Sequence, residues 1–418
     1  MAHLLVVESW VGSMSRLLPR AIREGGHEFT FLTRDLHHYL RSAPEGTAHP
    51  LLGARNVLTA DTNDTDALLP EVARLHSVLG FDGVITSCDY YLPAVARIAG
   101  HLGLPGPGPE AVANACRKDD TRRILAEAGL PGPRFAVHEE WADLARAARE
   151  IGYPLVAKPV DLCAGMYVRR IEHEAELAEL CRTLADFPVN ARGQRRNPAV
   201  LLEELLDGPE VSVETVSYAG AVHTVGVTDK SVGGAPAFIE TGHMFPAALP
   251  PADIEAAEQT TLGALKALGL TDAVVAHTEI KLTSAGPRVV EVNPRPAGNR
   301  ITELVRHVTG IDLAAACVDV ALGRRPDLRR TDTGLRSAAI GFLVPDRAGT
   351  LEALDPRRLA AEPDVLEVRL AEPGTAVKAA GSNNEYLGHV MAGDSEGPGA
   401  RDRVERLLAA LRAGLVIR

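Results

Sequence analysis

The first hundred residues alternate short apolar runs, HLLVVE, HEFTFLT, RNVLTA and DGVITS, with stretches of helical period such as residues 16–24 and 93–102. Strands and helices that take turns in this way predict a parallel α/β unit. The run GLPGPGP, residues 103–109, can be continued by neither helix nor strand, so a new unit is expected near Glu110. Beyond it, NACRKDDTRRILAEAGL reads as helix, RFAVH as strand, ADLARAAREI as helix and PLVAKPV as strand, before the loop DLCAGMYVRRI. AVLLEELLDGPEVSVETVSY is an apolar strand ending in two acids. After it come a strand pair over 218–229, a helix over 252–268, and the strands HTEIKL and RVVEVN. That order predicts α+β rather than a doubly wound sheet. After Arg325 to Asp327 the chain returns to short strands and turns and closes on an amphipathic helix over 401–411. The expected division is 1–110, 111–206, 207–328 and 329–418, with no internal repeat.

Composition agrees with a multidomain globule: 418 residues, 46% hydrophobic and 24% charged. The start, MAHLLVVESWVGS, lacks a basic n-region, and no apolar run approaches the roughly 18 residues of a spanning helix, so cytoplasmic location and no membrane partner are expected. A formal charge of −11 argues against nucleic acid as partner, yet leaves room for a local basic pocket that binds small anions. The five cysteines include no CxxC pair and are expected to be free thiols. The turn after the first strand, ESWVGSMS, holds Gly12 alone where a dinucleotide fold needs GxGxxG, which excludes a nicotinamide cofactor. Trp10 and Trp141 are expected to pack, and His37 and His38 to lie at the surface.

The stretch RVVEVNPRPAGNR, residues 288–300, carries Glu291 and Asn293 on one face and Val290 and Val292 on the other. Paired as a hairpin across TSAGP, it would set Glu279 opposite Glu291. Facing carboxylates repel unless a cation lies between them. Glu279, Glu291 and Asn293 are therefore either hard oxygen ligands for magnesium or the polar face of an edge hairpin. Lys158 ends an apolar strand and is placed to meet phosphate; Lys118 and Lys230 are either phosphate contacts or solvent lysines. Glu203, Glu204 and Leu206 stand at a strand end where a base edge can be read, with Glu210 near ribose hydroxyls, or else they form a surface turn.

The ordered motifs KDDTRRILAEAGLPGPRF, PLVAKPVD, LLEELLDGPEVSVE, TDK and HTEIKL to EVNPR resemble the ATP-grasp superfamily of carboxylate-amine ligases over nearly the whole chain. The resemblance implies a parallel α/β N-terminal domain, a central two-lobed ATP-grasp fold and a small C-terminal α+β module. It implies ATP as cofactor with magnesium, or manganese in its place: Lys118, Lys158 and Lys230 toward the nucleotide, Glu203, Glu204 and Leu206 lining adenine, Glu210 at ribose, and Glu279, Glu291 and Asn293 on the metal. ETGHMFPA and EVNPRPAGNRI are most similar to the L-amino acid ligases, whose extra domain the C-terminal module resembles. Amino acids are then the implied carboxylate and amine substrates, and a homodimer is compatible with the resemblance. The loop after Lys158 departs from the family, with only Gly165 beside Cys163 and Ala164.

Such residues suit phosphoryl transfer, which needs alignment and charge neutralisation. Arg295 offers a bidentate fork to the reacting carboxylate. Gly298 and Asn299 let backbone approach the substrate, and Arg300 either clamps a second carboxylate or points to solvent. Glu240 and His243 sit where related ligases recognise an amino acid, His243 being either a proton acceptor for the amine or a structural histidine. Transfer to a non-amine acceptor, or a degenerate nucleotide-binding regulator, are the alternatives.

Overall fold

The structure is a computed structural model that describes residues 1–10, 12–42, 49–233, 237–355, 359, 364–383 and 385–418. Strands β1 (His3–Val7), β2 (Glu28–Thr33), β3 (Asn56–Thr59) and β4 (Gly83–Ile85) form a parallel sheet in the order β3-β2-β1-β4. Every residue of β1 is buried, as a parallel strand covered on both faces requires. Gly83 is held to glycine by a neighbour, because a Cβ there would stand 2.4 Å from the carbonyl oxygen of Ala321. That contact seats the sheet on the helix Leu313–Ala321.

The next unit is an antiparallel sheet in the order β5-β8-β6-β7, made of β5 (Phe135–His138), β6 (Leu155–Pro159), β7 (Arg169–Ile171) and β8 (Val200–Glu204). Leu155, Ala157, Val200 and Leu202 face the helices Trp141–Ile151 and Glu174–Ala185 and build a core with them. Residues two apart on a strand share a face. Val156, Lys158 and Glu203 therefore look the other way, into a cavity.

The largest sheet contains β9 (Glu210–Tyr218), β10 (Ala221–Val232), β11 (Glu240–Phe245), β12 (Val274–Thr283), β13 (Gly286–Asn293) and β14 (Ser337–Phe342). It is completed by two of the strands that follow β14: β15 (Gly349–Ala353), β16 (Val365–Leu370), β17 (Ala376–Val377), β18 (Gly388–Asp394) and β19 (Val416–Ile417). Its order is β13-β12-β9-β10-β11-β14-β18-β16, all antiparallel, while β17-β15-β19 form a small sheet beside it. Because β14 hydrogen-bonds to β11, the strands β14, β18 and β16 continue the central sheet into the C-terminal unit. The helix Ala400–Arg412 covers β14 and β18 through Val404, Leu407, Leu408 and Leu411.

One face of the sheet is closed by the helix Pro251–Leu268 over Val211, Val213, Ala276, Ile280, Val289 and Val292. The opposite face is covered at one end by the helices Ile301–Thr309 and Leu313–Ala321. At its other end it presents Glu210, His277, Glu279 and Lys281 to the cavity. No helix among the described residues is long and apolar enough to cross a membrane. The five cysteines are free thiols.

Candidate active site

The cavity between the two antiparallel sheets measures about 550 Å³, within the range of sites for small molecules. Of the residues expected from the sequence, Lys118, Lys158, Glu203, Glu204, Leu206, Glu210, Glu240, Glu279, Glu291, Asn293, Arg295, Gly298 and Asn299 line it. Lys230 and His243 do not.

Glu279 does stand opposite Glu291, but by a route the symmetric hairpin did not foresee. From the turn, Thr283 pairs with Gly286 and Ile280 with Val289; the register then shifts, and Glu279 meets Glu291. Val290 is the extra residue of a β-bulge. Without it the period-two pattern would have set Glu279 against Val290. The bulge also turns Val290 into the cavity, while Val289 and Val292 stay in the core, so the expected pairing of Val290 with Val292 on one face does not occur.

Each of the facing acids has its own cation. Lys118 Nζ lies 2.9 Å from Glu291 Oε1, and Lys230 Nζ lies 2.6 Å from Glu279 Oε1. Lys230 is almost wholly buried and also reaches Glu210 at 3.0 Å and Glu240 at 3.1 Å. Burial disfavours its charge, but Glu240, Glu279 and Glu210 together outweigh this and hold its pKa well above the ordinary lysine value. Lys230, expected as a phosphate contact or a solvent lysine, is thus buried behind the cavity wall at the centre of three acids. Glu279 is correspondingly held well below the usual carboxylate range, burial being overcome by Lys230 and by His277. His277 bridges Glu279 at 3.3 Å and the buried Glu214 at 2.9 Å. Those acids overcome its burial and raise it to about 9.

On the facing sheet, Glu203 is buried between Lys158 Nζ, at 2.7 Å, and the Nε of Arg122. Burial opposes its ionisation, yet Arg122 and then Lys158 draw its pKa down to about 2. Lys158 is lowered, because burial and the nearby Arg122 outweigh Glu203. Arg122 was not foreseen. One turn beyond Lys118 on the helix Lys118–Glu127, it shares that lysine's face, the signal that would have found it. Its Nη1 donates to the carbonyl of Val289 at 2.7 Å and its Nη2 to that of Val290 at 2.8 Å, so one guanidinium ties β8 to the bulge of β13.

The N-terminal unit supplies one end of the cavity through Trp10, Ser13, Ser87 and Asp89. Asp89 Oδ1 accepts from Arg295 Nε at 2.6 Å, and its Oδ2 accepts from Trp10 Nε1 at 2.5 Å. Trp10 is therefore part of the cavity wall. Trp141, also expected to pack, is 41% exposed. Asp89 follows β4, and ligands of parallel sheets gather at the carboxyl ends of strands, a rule that points to it.

His243 is fully buried behind Glu240. Its Nε2 lies 3.1 Å from Glu240 Oε2, but neither ring nitrogen has a hydrogen-bond partner of good geometry among the described residues. It cannot meet an incoming amine directly. The Nδ2 of Asn299 donates to the same carboxylate oxygen. Arg300 is buried as well: it pairs with Glu303 and, at 2.6 Å, with Glu367, and so fastens the helix Ile301–Thr309 to β16. It neither clamps substrate nor meets solvent.

The glycine-poor loop keeps a glycine-like path. Ala164, Gly165 and Tyr167 have φ of 57°, 67° and 58°, all left-handed, with only one glycine among them. Among the described residues no three His, Cys, Asp or Glu side chains are grouped to hold a metal. The expected set has two carboxylates and an amide; hard oxygens facing each other across one ladder fit magnesium, provided phosphate oxygens and water complete the shell.

Residues 151–303 match the family described as ATP-grasp domain, 20–106 the ATP-grasp N-terminal domain, and 341–416 the L-amino acid ligase C-terminal domain 2. The chain is 32% identical over 376 residues to the uncharacterized protein y4rH of Sinorhizobium fredii (strain NBRC 101917 / NGR234), covering 88% of this chain and 76% of that one. It is 30% identical to human carnosine synthase 1, over 78% of this chain and 40% of that one. Against the alanine–anticapsin ligase of Bacillus amyloliquefaciens it is 28% identical, over 63% and 59%. The chain thus spans less than two thirds of the last two relatives. The fold matches an L-amino acid ligase from Bacillus licheniformis with a TM-score of 0.80 at 24% identity, covering 100% and 98% of the two chains. It also matches the biotin carboxylase domain of a Hydrogenobacter thermophilus 2-oxoglutarate carboxylase in complex with MgADP and bicarbonate, with a TM-score of 0.69 at 18% identity, over 99% and 91%.

Proposed function

The chain belongs to the ATP-grasp ligase family and carries the L-amino acid ligase C-terminal domain, and from that premise we propose that it joins a carboxylate to an amine at the expense of ATP, with amino acids as substrates. The observation that carries the reading is the bulged register that sets Glu279 against Glu291 in one cavity with Lys118, Lys158 and Arg295.

Glu279, Glu291 and Asn293 would hold magnesium, which when bound neutralises and aligns the nucleotide phosphates. Lys118 and Lys158 would contact those phosphates, with Glu204, Leu205 and Leu206 along the base and Glu210 at the ribose. With no ligand, Lys118 and Lys230 balance the two acids. On binding, the phosphates would take over Lys118 while Glu291 turns to the metal, so that charge stays paired throughout. Arg295, held by Asp89 at the far end, faces the substrate carboxylate. A carboxylate oxygen attacks the γ-phosphorus and ADP leaves, forming an acyl phosphate. The amine nitrogen then attacks the acyl carbon and expels phosphate, which carries away the proton that the nitrogen gives up. Arg295 stabilises the charge gathered on the acyl oxygens in both steps. Residues 1–110, 111–206, 207–328 and 329–418 are proposed as the units of this machine, the last joined to the third by a continuous sheet.

The test is substrate-dependent ADP release over a panel of amino acids, singly and in pairs, with Glu291→Ala alongside. We expect turnover with defined pairs and an amide product, and loss of at least a hundredfold in Glu291→Ala. ADP release unchanged by that substitution would remove the mechanism. ADP release without amide product would favour a non-amine acceptor, and nucleotide binding without any release a regulator.

A further inference from the structure

The C-terminal module reaches the cavity. Asn383 lines it, although nothing in the motifs of the sequence pointed past Arg300. The backbone N–H of Glu240 donates to Asn383 Oδ1 at 2.9 Å, and the hydroxyl of Tyr386 donates to the carbonyl of Glu240 at 2.8 Å. Both polar groups of one peptide residue are therefore tied by side chains of the module. Beneath them Tyr386 stacks on Phe342 of β14 with ring centroids 4.3 Å apart, and Phe342 meets His243 edge-on at 5.8 Å. Glu385 holds the turn in shape by accepting from the N–H and hydroxyl of Ser382, both at 2.8 Å.

Glu240 is the first residue of β11. Its pairing with Val232 lies across a register shift, so the ladder gives it poor support. Its carboxylate nevertheless gathers Lys230, His243 and Asn299 and lines the cavity. A side chain so loaded needs a fixed backbone. We infer that Asn383 and Tyr386 are positioning residues for Glu240, through which the C-terminal module sets the affinity for the amino-acid substrate. The same turn touches the loop over the nucleotide end, where Asn383 N–H and Ala164 O are 3.4 Å apart and Arg169 Nη1 and Gly381 O are also 3.4 Å apart. Both are at the limit of a hydrogen bond, whereas the contacts to Glu240 are of full strength, so the effect falls on the substrate end.

The inference rests on the ligase reading, and the experiment separates the two. ADP release from MgATP is measured for wild type, Asn383→Ala, Tyr386→Phe and the double variant, with the amino-acid pair that wild type uses best. Calorimetric titration with MgADP serves as an activity-free control. Each single substitution should raise the KM for one amino-acid substrate about fivefold, the factor that one ordinary hydrogen bond is worth. The double variant should raise it more, with kcat and MgADP affinity within about twofold of wild type. Tyr386→Phe keeps the ring stack and so carries the test if Asn383→Ala does not fold. Unchanged KM in Tyr386→Phe and the double variant, or an equal loss of MgADP affinity, would overturn the inference and leave the ligase reading intact. No turnover by wild type with any pair would overturn both.

Discussion

Replacing Arg122 by methionine should loosen the bulge that pairs the two acids. Three contacts go at once: the ion pair with Glu203 and the donations to the carbonyls of Val289 and Val290. Glu203 ionises near 2 in the folded chain and near about 4.3 when unfolded, so its pairing contributes about 3 kcal/mol at neutral pH. Arg122 is the larger of its two cationic partners, and Lys158 remains, so about 2 kcal/mol of that is lost. The two carbonyl bonds add about 1 kcal/mol each, for a total of about 4 kcal/mol. Hydrogen exchange of β8 and β13, followed by mass spectrometry at pH 7, should show amides opening about a thousandfold more readily, since about 1.4 kcal/mol is tenfold. A depressed carboxylate stabilises above its unfolded pKa and loses that effect as the pH falls through its folded one. The advantage of wild type should therefore hold from pH 7 to 5 and shrink toward pH 2. Acceleration below tenfold at pH 7, or a gap that widens on acidification, would refute this account of the triad.

Gly208→Ala should destabilise the turn between β8 and β9 by roughly 3 kcal/mol, because φ is 134° and a Cβ would stand 2.1 Å from the carbonyl oxygen of Leu282. Thermal unfolding measures this. Ala164→Gly should leave stability within about 1 kcal/mol, relief of the left-handed φ being offset by a freer unfolded chain, and should not lower ADP release; a large fall in either would show that the alanine methyl itself contributes. Arg295→Lys should reduce kcat at least tenfold with MgADP affinity unchanged, since an ammonium cannot hold Asp89 and a substrate carboxylate in one plane, a split that steady-state kinetics and titration would reveal.

The sequence made the element order legible, since apolar period and breakers are local properties. It also brought Glu279 and Glu291 to the right pairing, though through a symmetric turn that does not exist; the compensating bulge at Val290 is bound by Arg122, 168 residues away in the chain. HTEIKL alone places His277, Glu279 and Lys281 on one face by alternation, so His277 and Lys281 were readable. Lys230 reads as either a phosphate contact or a solvent lysine, and only the register across β9, β10, β11 and β12 reveals the acids around it. Asn383 and Tyr386 carry no local pattern, and their meaning arises from hydrogen bonds to Glu240, 143 and 146 residues away in the chain.

The seam between β11 and β14 bears on any attempt to shorten the polypeptide. Cutting after about residue 330 would strip β11 of one of its two neighbours and bare a row of N–H and C=O groups from Gly242 to Phe245, together with the side chain of Met244. A raw margin of that kind recruits other strands. The truncated protein would stick to itself beside the very acid that the missing segment braces, and loss of activity in such a fragment would report clumping rather than chemistry.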